Sequence, residues 1–356
     1  MPSAEANLTS AALLKRKTYA FFDGGKRSES LAELCLKLLS EQKKTWPDLR
    51  QAYALLKQVR TRRVRCRGFS VLLQHNPGRA TSSLARVDEK NINERPCFLC
   101  LENLPSGQKG ILYRDEYLIL CNPAPVFSSH LTISCVEHRP QAIVSNIDSY
   151  LQLMADLGPG WTSLYNGPRC GASAPDHLHF QAVPAGRMPV EQHIEEANRL
   201  IPVSEHDSLH VYLVKDLGRE ALLLQGDDPS ALARALSKCI DSLKAFLRTD
   251  AEPMLNVAGF YREGTWRLLV FPRRKHRPDV FFEEGDARIV VSPAVMEMAG
   301  ILVTPVESDF ERLDAEAVEG IYDEVSLDAK TLEKAIEARN LIAEKRSLDP
   351  GHPHYY

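Results

Sequence analysis

Apolar residues recur along this chain at two different periods, and the switches between them mark its elements. Leu31, Leu34, Leu38 and Leu39 repeat at helical spacing and Pro47 opens a second stretch of the same kind, so residues 28–60 read as two amphipathic helices covering a sheet. Arg65 to Gln74 reads as a strand, followed by the turn-rich segment 75–83. The apolar run Tyr117–Cys121 predicts a buried strand, His130–Cys135 reads as another strand, and Asn146 to Leu157 reads as a helix. A further helix near Val190 to Leu200 stops before Pro202, which marks a boundary between halves. Beyond it, strands near 209–215, 220–224, 253–261 and 266–271 surround a long helix from Pro229 to Leu247. Asp314 to Arg346 reads as two helices with a polar tail ending His352-Pro353-His354-Tyr355-Tyr356, too terminal to be catalytic. The pattern is α+β.

The most informative stretch is Asp176-His177-Leu178-His179-Phe180-Gln181-Ala182-Val183-Pro184. Its alternation puts His177, His179 and Gln181 on one face of a strand. A neutral imidazole is a competent nucleophile or metal ligand, whereas glutamine forms hydrogen bonds but relays no proton. Alone, a His-x-His pair is equally well explained by packing. Upstream, Tyr165-Asn166-Gly167-Pro168-Arg169-Cys170-Gly171-Ala172-Ser173-Ala174-Pro175 is a small-residue loop that lets backbone amides and a hydroxyl approach a phosphate.

Asn166, Gly171-Ala172-Ser173 and His177-x-His179-x-Gln181 resemble the active-site signature of the galactose-1-phosphate uridylyltransferase branch of the histidine triad superfamily. The string His-Leu-His-Phe-Gln is most similar to GDP-hexose phosphorylases, with diadenosine tetraphosphate phosphorylases as cousins. One departure is visible: Ala174-Pro175-Asp176 separates Ser173 from His177, where uridylyltransferases usually have two residues. The resemblance implies that His179 is the nucleophile, that Gln181, Ser173, Gly171 and Asn166 surround the phosphate, that Asn122 touches the ribose and that His130 lies near the phosphate. Asn122 and His130 read equally well as turn and strand-end residues.

Cys97-Phe98-Leu99-Cys100 has the spacing for two thiolates on one metal, and equally for a reduced or redox cysteine pair. No second Cys-x-x-Cys exists, so histidines must complete any tetrahedral site. By the resemblance these are His138 and His177, and the metal is structural zinc, with iron or no metal as alternatives.

Leu269 to Pro278 parallels Leu131 to Pro140, and both end in His-Arg-Pro, which suggests a duplicated unit. The expected fold is therefore a pair of histidine triad-like modules, each an antiparallel sheet covered by helices. Its divisions are an N-terminal helical segment at 1–62, a catalytic module with metal knuckle at 63–203, a degenerate module at 204–312, and C-terminal helices and tail at 313–356. Arg273 and Arg274, in a basic cluster beside Asn256, are candidates to clamp phosphate, or form a solvated turn. Arg79 is a candidate of the same kind.

The length of 356 residues fits a duplicated domain, and a net charge of −3 argues against nucleic-acid binding. Eight scattered cysteines suit a reducing, cytoplasmic setting, and neither a polar start at Met1–Asn7 nor any long apolar run marks export or membrane insertion. The expectation is a nucleotidyltransferase or phosphorylase acting on a nucleoside diphosphate sugar through a nucleotidyl-histidine, with phosphate or a sugar phosphate as acceptor and no organic cofactor. The alternatives are a diadenosine tetraphosphate phosphorylase and a catalytically inactive nucleotide-binding protein. Related transferases are often dimers, so the resemblance also implies a homodimer.

Overall fold

In the computed structural model residues 10–25, 29–85, 89–206 and 208–337 are described; Met1–Asn7 and the tail from His352 to Tyr356 lie outside them. The chain is α+β. Its strands are β1 (Thr18–Phe22), β2 (Arg60–Arg65), β3 (Ser70–His75), β4 (Gly110–Tyr113), β5 (Tyr117–Cys121), β6 (Leu131–Cys135), β7 (Trp161–Asn166), β8 (His179–Pro184), β9 (Leu200–His206), β10 (Leu209–Val214), β11 (Leu222–Gly226), β12 (Leu255–Arg262), β13 (Thr265–Pro272) and β14 (Ile301–Thr304). An 11-stranded sheet runs β1-β4-β5-β6-β8-β7-β12-β13-β11-β10-β9, and a separate 3-stranded sheet runs β14-β3-β2. The large sheet is antiparallel except where β1 joins β4.

The duplication is written in this strand order. β4, β5, β6, the helix Ile147–Leu157, β7 and β8 form one unit ordered 4-5-6-8-7; β9, β10, β11, the helix Pro229–Leu247, β12 and β13 repeat it as 9-10-11-13-12. The units join along β7 and β12, where Asn166 pairs with Asn256. The His-Arg-Pro echo is therefore not the trace of the duplication. Leu131–Cys135 is β6, whose counterpart is β11, whereas Leu269 to Pro272 belongs to β13, the counterpart of the triad strand β8. The long loop 167–178 between β7 and β8 shrinks to the turn Glu263-Gly264 between β12 and β13, both residues at positive φ, so the second unit has no counterpart of that loop.

Strand alternation sorts side chains into two cores. Phe180, Ala182, Leu222, Leu224 and Val257 face a layer formed by the helices Leu31–Thr45, Ile147–Leu157, Pro229–Leu247 and Ala329–Glu337. Val183, Leu223, Ala258 and Phe271 face the small sheet and the helix Ala315–Val325. The helix Leu31–Thr45 starts at a capping box, with the Ser30 hydroxyl accepting from the Glu33 amide and the Glu33 carboxylate accepting from the Ser30 amide at 2.8 Å. Gly259 lets the helix Ile147–Leu157 reach the middle of the sheet, since a Cβ there would stand 2.6 Å from Met154 Sδ.

Three expectations change. The N-terminal segment is not only helical, because Thr18–Phe22 adds β1 to the sheet edge. The segment 65–74 is not one strand: it spans the end of β2, a turn and most of β3, which pair as a hairpin, and β3 also pairs with β14 from the far end of the chain, so the small sheet mixes segments assigned to different modules. The helix near Val190 is cut to Pro189–His193 because the chain turns extended at Leu200. Pro202 lies within β9, an outermost strand where proline's missing N–H costs no ladder bond, beside a register shift opposite Val211/Tyr212. Among the described residues no helix is long and apolar enough to cross a membrane.

Candidate active site and metal centre

Cys97, Cys100, His138 and His177 converge, their ligand atoms all within 4.8 Å of one another. Cys97 Sγ lies 3.2 Å from His177 Nδ1, and Cys100 Sγ 3.2 Å from His138 Nδ1 and 3.6 Å from His177 Nδ1. These approach the edge of about 3.6 Å that tetrahedral zinc with S and N ligands requires. His177 Nε2 donates to the Cys135 carbonyl at 2.8 Å, which leaves Nδ1 bare for a metal. His138 Nε2 lies 3.7 Å from an Asp176 carboxylate oxygen, close but beyond hydrogen-bond distance. Burial pushes the Cys100 thiol up to about 12, so only a cation would hold this pair as thiolates. The donor set fits a metal ion and offers four protein ligands, leaving no position for water. His177, two residues before the start of β8, is thus turned to the knuckle, while His179 and Gln181 on β8 face a cavity of about 760 Å³.

At His179, Nδ1 donates to the His177 carbonyl at 2.9 Å, so the proton is on Nδ1 and Nε2 carries the lone pair. Nε2 has no protein partner among the described residues, and the side chain lines the cavity. Burial lowers the imidazole pKa to about 4, so the ring is neutral at neutral pH. Its backbone is clamped by Gln141, whose Oε1 accepts from His179 N–H at 2.8 Å and whose Nε2 donates to the carbonyls of His179 and Asn166.

Gln181 also lines the cavity, but His130 does not. His130 is fully buried; its Nδ1 accepts from the Val126 amide, so Nε2 carries the proton and donates to Gln181 Oε1 at 2.8 Å. Burial lowers its pKa to about 3, with the Arg79 charge acting the same way, which keeps it a neutral donor. His130 therefore fixes the Gln181 amide rather than touching phosphate, leaving the Gln181 NH2 as the end free for an oxygen anion.

Asn166, Gly171 and Ser173 all line the cavity. Arg95 donates to the Ser173 carbonyl at 2.8 Å and tethers the loop. Gly171 has φ +110, and a Cβ there would stand 2.6 Å from Ala294 Cβ. Gly171→Ala is expected to cost about 2–4 kcal/mol and to displace the loop; urea unfolding reads this, and wild-type stability would contradict it. Asn122 lines the cavity with its amide engaged by Thr132 at 3.0 Å and by the Ala124 N–H at 2.9 Å. Arg79 lines it too, with one Nη1 bond to the Ala124 carbonyl.

The other two arginines do not reach the cavity. Arg273 is buried with every N–H committed: Nε to Val325, Nη1 to Asn256 and Pro293, Nη2 to Lys275 and His276. Arg274 is bonded to the carbonyls of Asp323 and Glu324. Backbone carbonyls, with the Asn256 amide oxygen, take up both of these guanidinium groups, so neither clamps phosphate in the cavity.

Glu297 lines the cavity and was not expected. One oxygen accepts from the Ala294 amide at 2.9 Å; burial pushes its pKa up to about 7 against the pull of Arg79 and Arg273. A lone acid within Ala294-Val295-Met296-Glu297-Met298-Ala299 is the signal that would have found it, since unpaired acids are rarely buried without a role. The cavity wall also includes the apolar side chains Phe98, Leu99, Leu104 and Leu120.

Residues 38–184 match a domain of unknown function (DUF4922), and residues 190–343 match the GDPGP1-like C-terminal domain. Among solved structures the chain is similar to the yeast Ap4A phosphorylase Apa2 in complex with AMP, at 16% identity and TM-score 0.51, covering 80% of this chain and 96% of that one. The same yeast enzyme in complex with Ap4A is similar at 15% identity and TM-score 0.50, covering 81% and 97%. These likenesses are of fold. No curated protein matches the chain.

Proposed function

For a chain related to the histidine triad-like GDP-hexose and Ap4A phosphorylases, we propose phosphorolysis of a nucleoside diphosphate hexose through a nucleotidyl-histidine on His179. The observation that carries this reading is the tautomer of His179: Nδ1 bound to the His177 carbonyl, Nε2 bare, neutral and lining the cavity.

Nε2 attacks the α-phosphorus in line, the P–N bond forms, and the bond to the bridging oxygen breaks. The hexose 1-phosphate leaves with that electron pair as a stable anion and needs no proton, which is why an amide at Gln181 suffices. The imidazolium so formed keeps its Nδ1–H on the His177 carbonyl, which offsets the new positive charge. The Gln181 NH2, the Asn166 NH2 and the Arg79 guanidinium share the charge on the non-bridging oxygens. An oxygen of inorganic phosphate then attacks the same phosphorus, the P–N bond breaks, and nucleoside diphosphate leaves. Zinc on Cys97, Cys100, His138 and His177 would hold the start of β8 in place and enter neither step.

Glu297 favours a sugar over a second nucleotide on a long polyphosphate. A carboxyl beside Arg79 accepts hydrogen bonds from hexose hydroxyls, whereas it would repel additional phosphates. The test compares phosphate-dependent turnover of GDP-, ADP- and UDP-hexoses with that of Ap4A. A GDP-hexose turned over best, with Glu297→Ala raising KM for the sugar donor roughly tenfold or more, is the expected result. Preference for Ap4A, unaffected by Glu297→Ala, would replace this reading.

A further inference from the structure

The geometry points to Asn256 as a positioning residue for nucleotidyl transfer: from the second module, it holds the Asn166 amide with its NH2 turned into the cavity. This rests on the function proposed above. Asn256 is wholly buried at the start of β12, opposite Asn166 in the join between modules. Its Oδ1 accepts from Arg273 Nη1 at 2.6 Å. A guanidinium only donates, so this contact decides which end of the Asn256 amide is oxygen. Nδ2 is thereby directed at Asn166 Oδ1, 2.8 Å away, and at the Cys170 carbonyl, 2.7 Å away. Asn166 Oδ1 accepts a second bond from the Val295 amide at 2.8 Å. With two donors on its oxygen the Asn166 side chain cannot flip, and the Nδ2 it keeps has no protein partner among the described residues.

Orientation thus passes from a fully committed arginine, through one amide, to a second amide on the cavity wall. It matters because the two ends of that amide act oppositely on a phosphoryl oxygen. The NH2 stabilises charge that grows in the transition state; the carbonyl oxygen in its place would repel it. The same Asn256 NH2 also anchors Cys170, next to Gly171 of the phosphate loop. The degenerate module contributes no nucleophile, yet it sets the polarity of the catalytic one.

Asn256→Asp is the direct test, because it keeps an acceptor for Arg273 and removes the donor to Asn166 without changing size. Asn256→Ser removes the amide without adding charge and serves as the second variant. Both are expected to stay folded, melting below the wild type by what the lost buried bonds to Asn166 and Cys170 cost, and to slow single-turnover nucleotidylation roughly 100-fold. Binding of a GDP-hexose, read on the His179→Ala protein with and without the Asn256 change, should move by less than about threefold. On an Asn166→Ala background the Asn256 variants should slow the reaction far less, by no more than the lost tie to the Cys170 carbonyl contributes. Equal slowing on both backgrounds, parallel loss of binding and rate, or an unchanged rate would each overturn the assignment. Absence of turnover in the wild-type protein would instead count against the function on which it rests.

Discussion

His179→Ala is expected to abolish nucleotidyl transfer, lowering kcat by on the order of 10⁴ or more, while the protein stays folded. The size follows from the role: without Nε2 no P–N bond can form, and no neighbouring group can replace it. His130 is buried with both nitrogens engaged, and the Nδ1 of His177 lies against the knuckle sulfurs. The fold should survive, because the lost side chain makes one hydrogen bond, to its neighbour's carbonyl. Steady-state rates and a thermal melt check this. The pH profile carries the same information. A burial-lowered pKa of about 4 means the imidazole is neutral above that value, so with Glu297→Gln in place, which removes the cavity carboxyl held near 7, nucleotidylation should be level from about pH 5 upward and fall only as acid protonates the ring near pH 4. A limb rising through pH 6–7 in that variant, the range of an ordinary histidine, would contradict the neutral buried nucleophile.

The Cys97/Cys100 pair carries the second large expected effect. Cys97→Ser and Cys100→Ser are each expected to lower metal content from one ion per chain to none, and to reduce the melting temperature by roughly 10 °C or more. His177 is the reason the loss spreads, because it joins the knuckle at Nδ1 to the Cys135 carbonyl at Nε2 and directly precedes Leu178 and His179. With the knuckle open, the carbonyl that sets the His179 tautomer is no longer fixed. Elemental analysis and calorimetry report this without reference to activity. Metal-free protein melting with the wild type would show that Cys97 and Cys100 are an ordinary thiol pair.

The histidines and the cysteine knuckle were legible in the sequence because their chemistry resides in residue type and short spacing. Period-two alternation placed His177, His179 and Gln181 on one face; His179 and Gln181 do share the cavity face of β8, whereas His177 lies before the strand begins and turns to Cys97 and the Cys135 carbonyl. The duplication was legible as well, but through the wrong segments, since two His-Arg-Pro strings carry no information about which strands are equivalent. What stayed hidden depends on long-range pairing. Arg273 reads as a phosphate clamp until the carbonyls around it are known. His130 reads as a ligand until it is seen buried behind Gln181. Asn256 becomes meaningful only once β12 lies against β7, and Gln141 sits in an irregular loop that gives no periodic signal. Burial of Glu297 follows from a small sheet assembled from residues 60–75 and 301–304, a pairing no local pattern announces.

The most direct measurement is intact mass spectrometry of the protein incubated with a GDP-hexose in the absence of phosphate, followed by peptide mapping. The account predicts one added guanylyl group per chain, carried on His179, stable until inorganic phosphate is supplied and then released as GDP. Product formed at full rate with no adduct at any time, or an adduct on a residue other than His179, would contradict it.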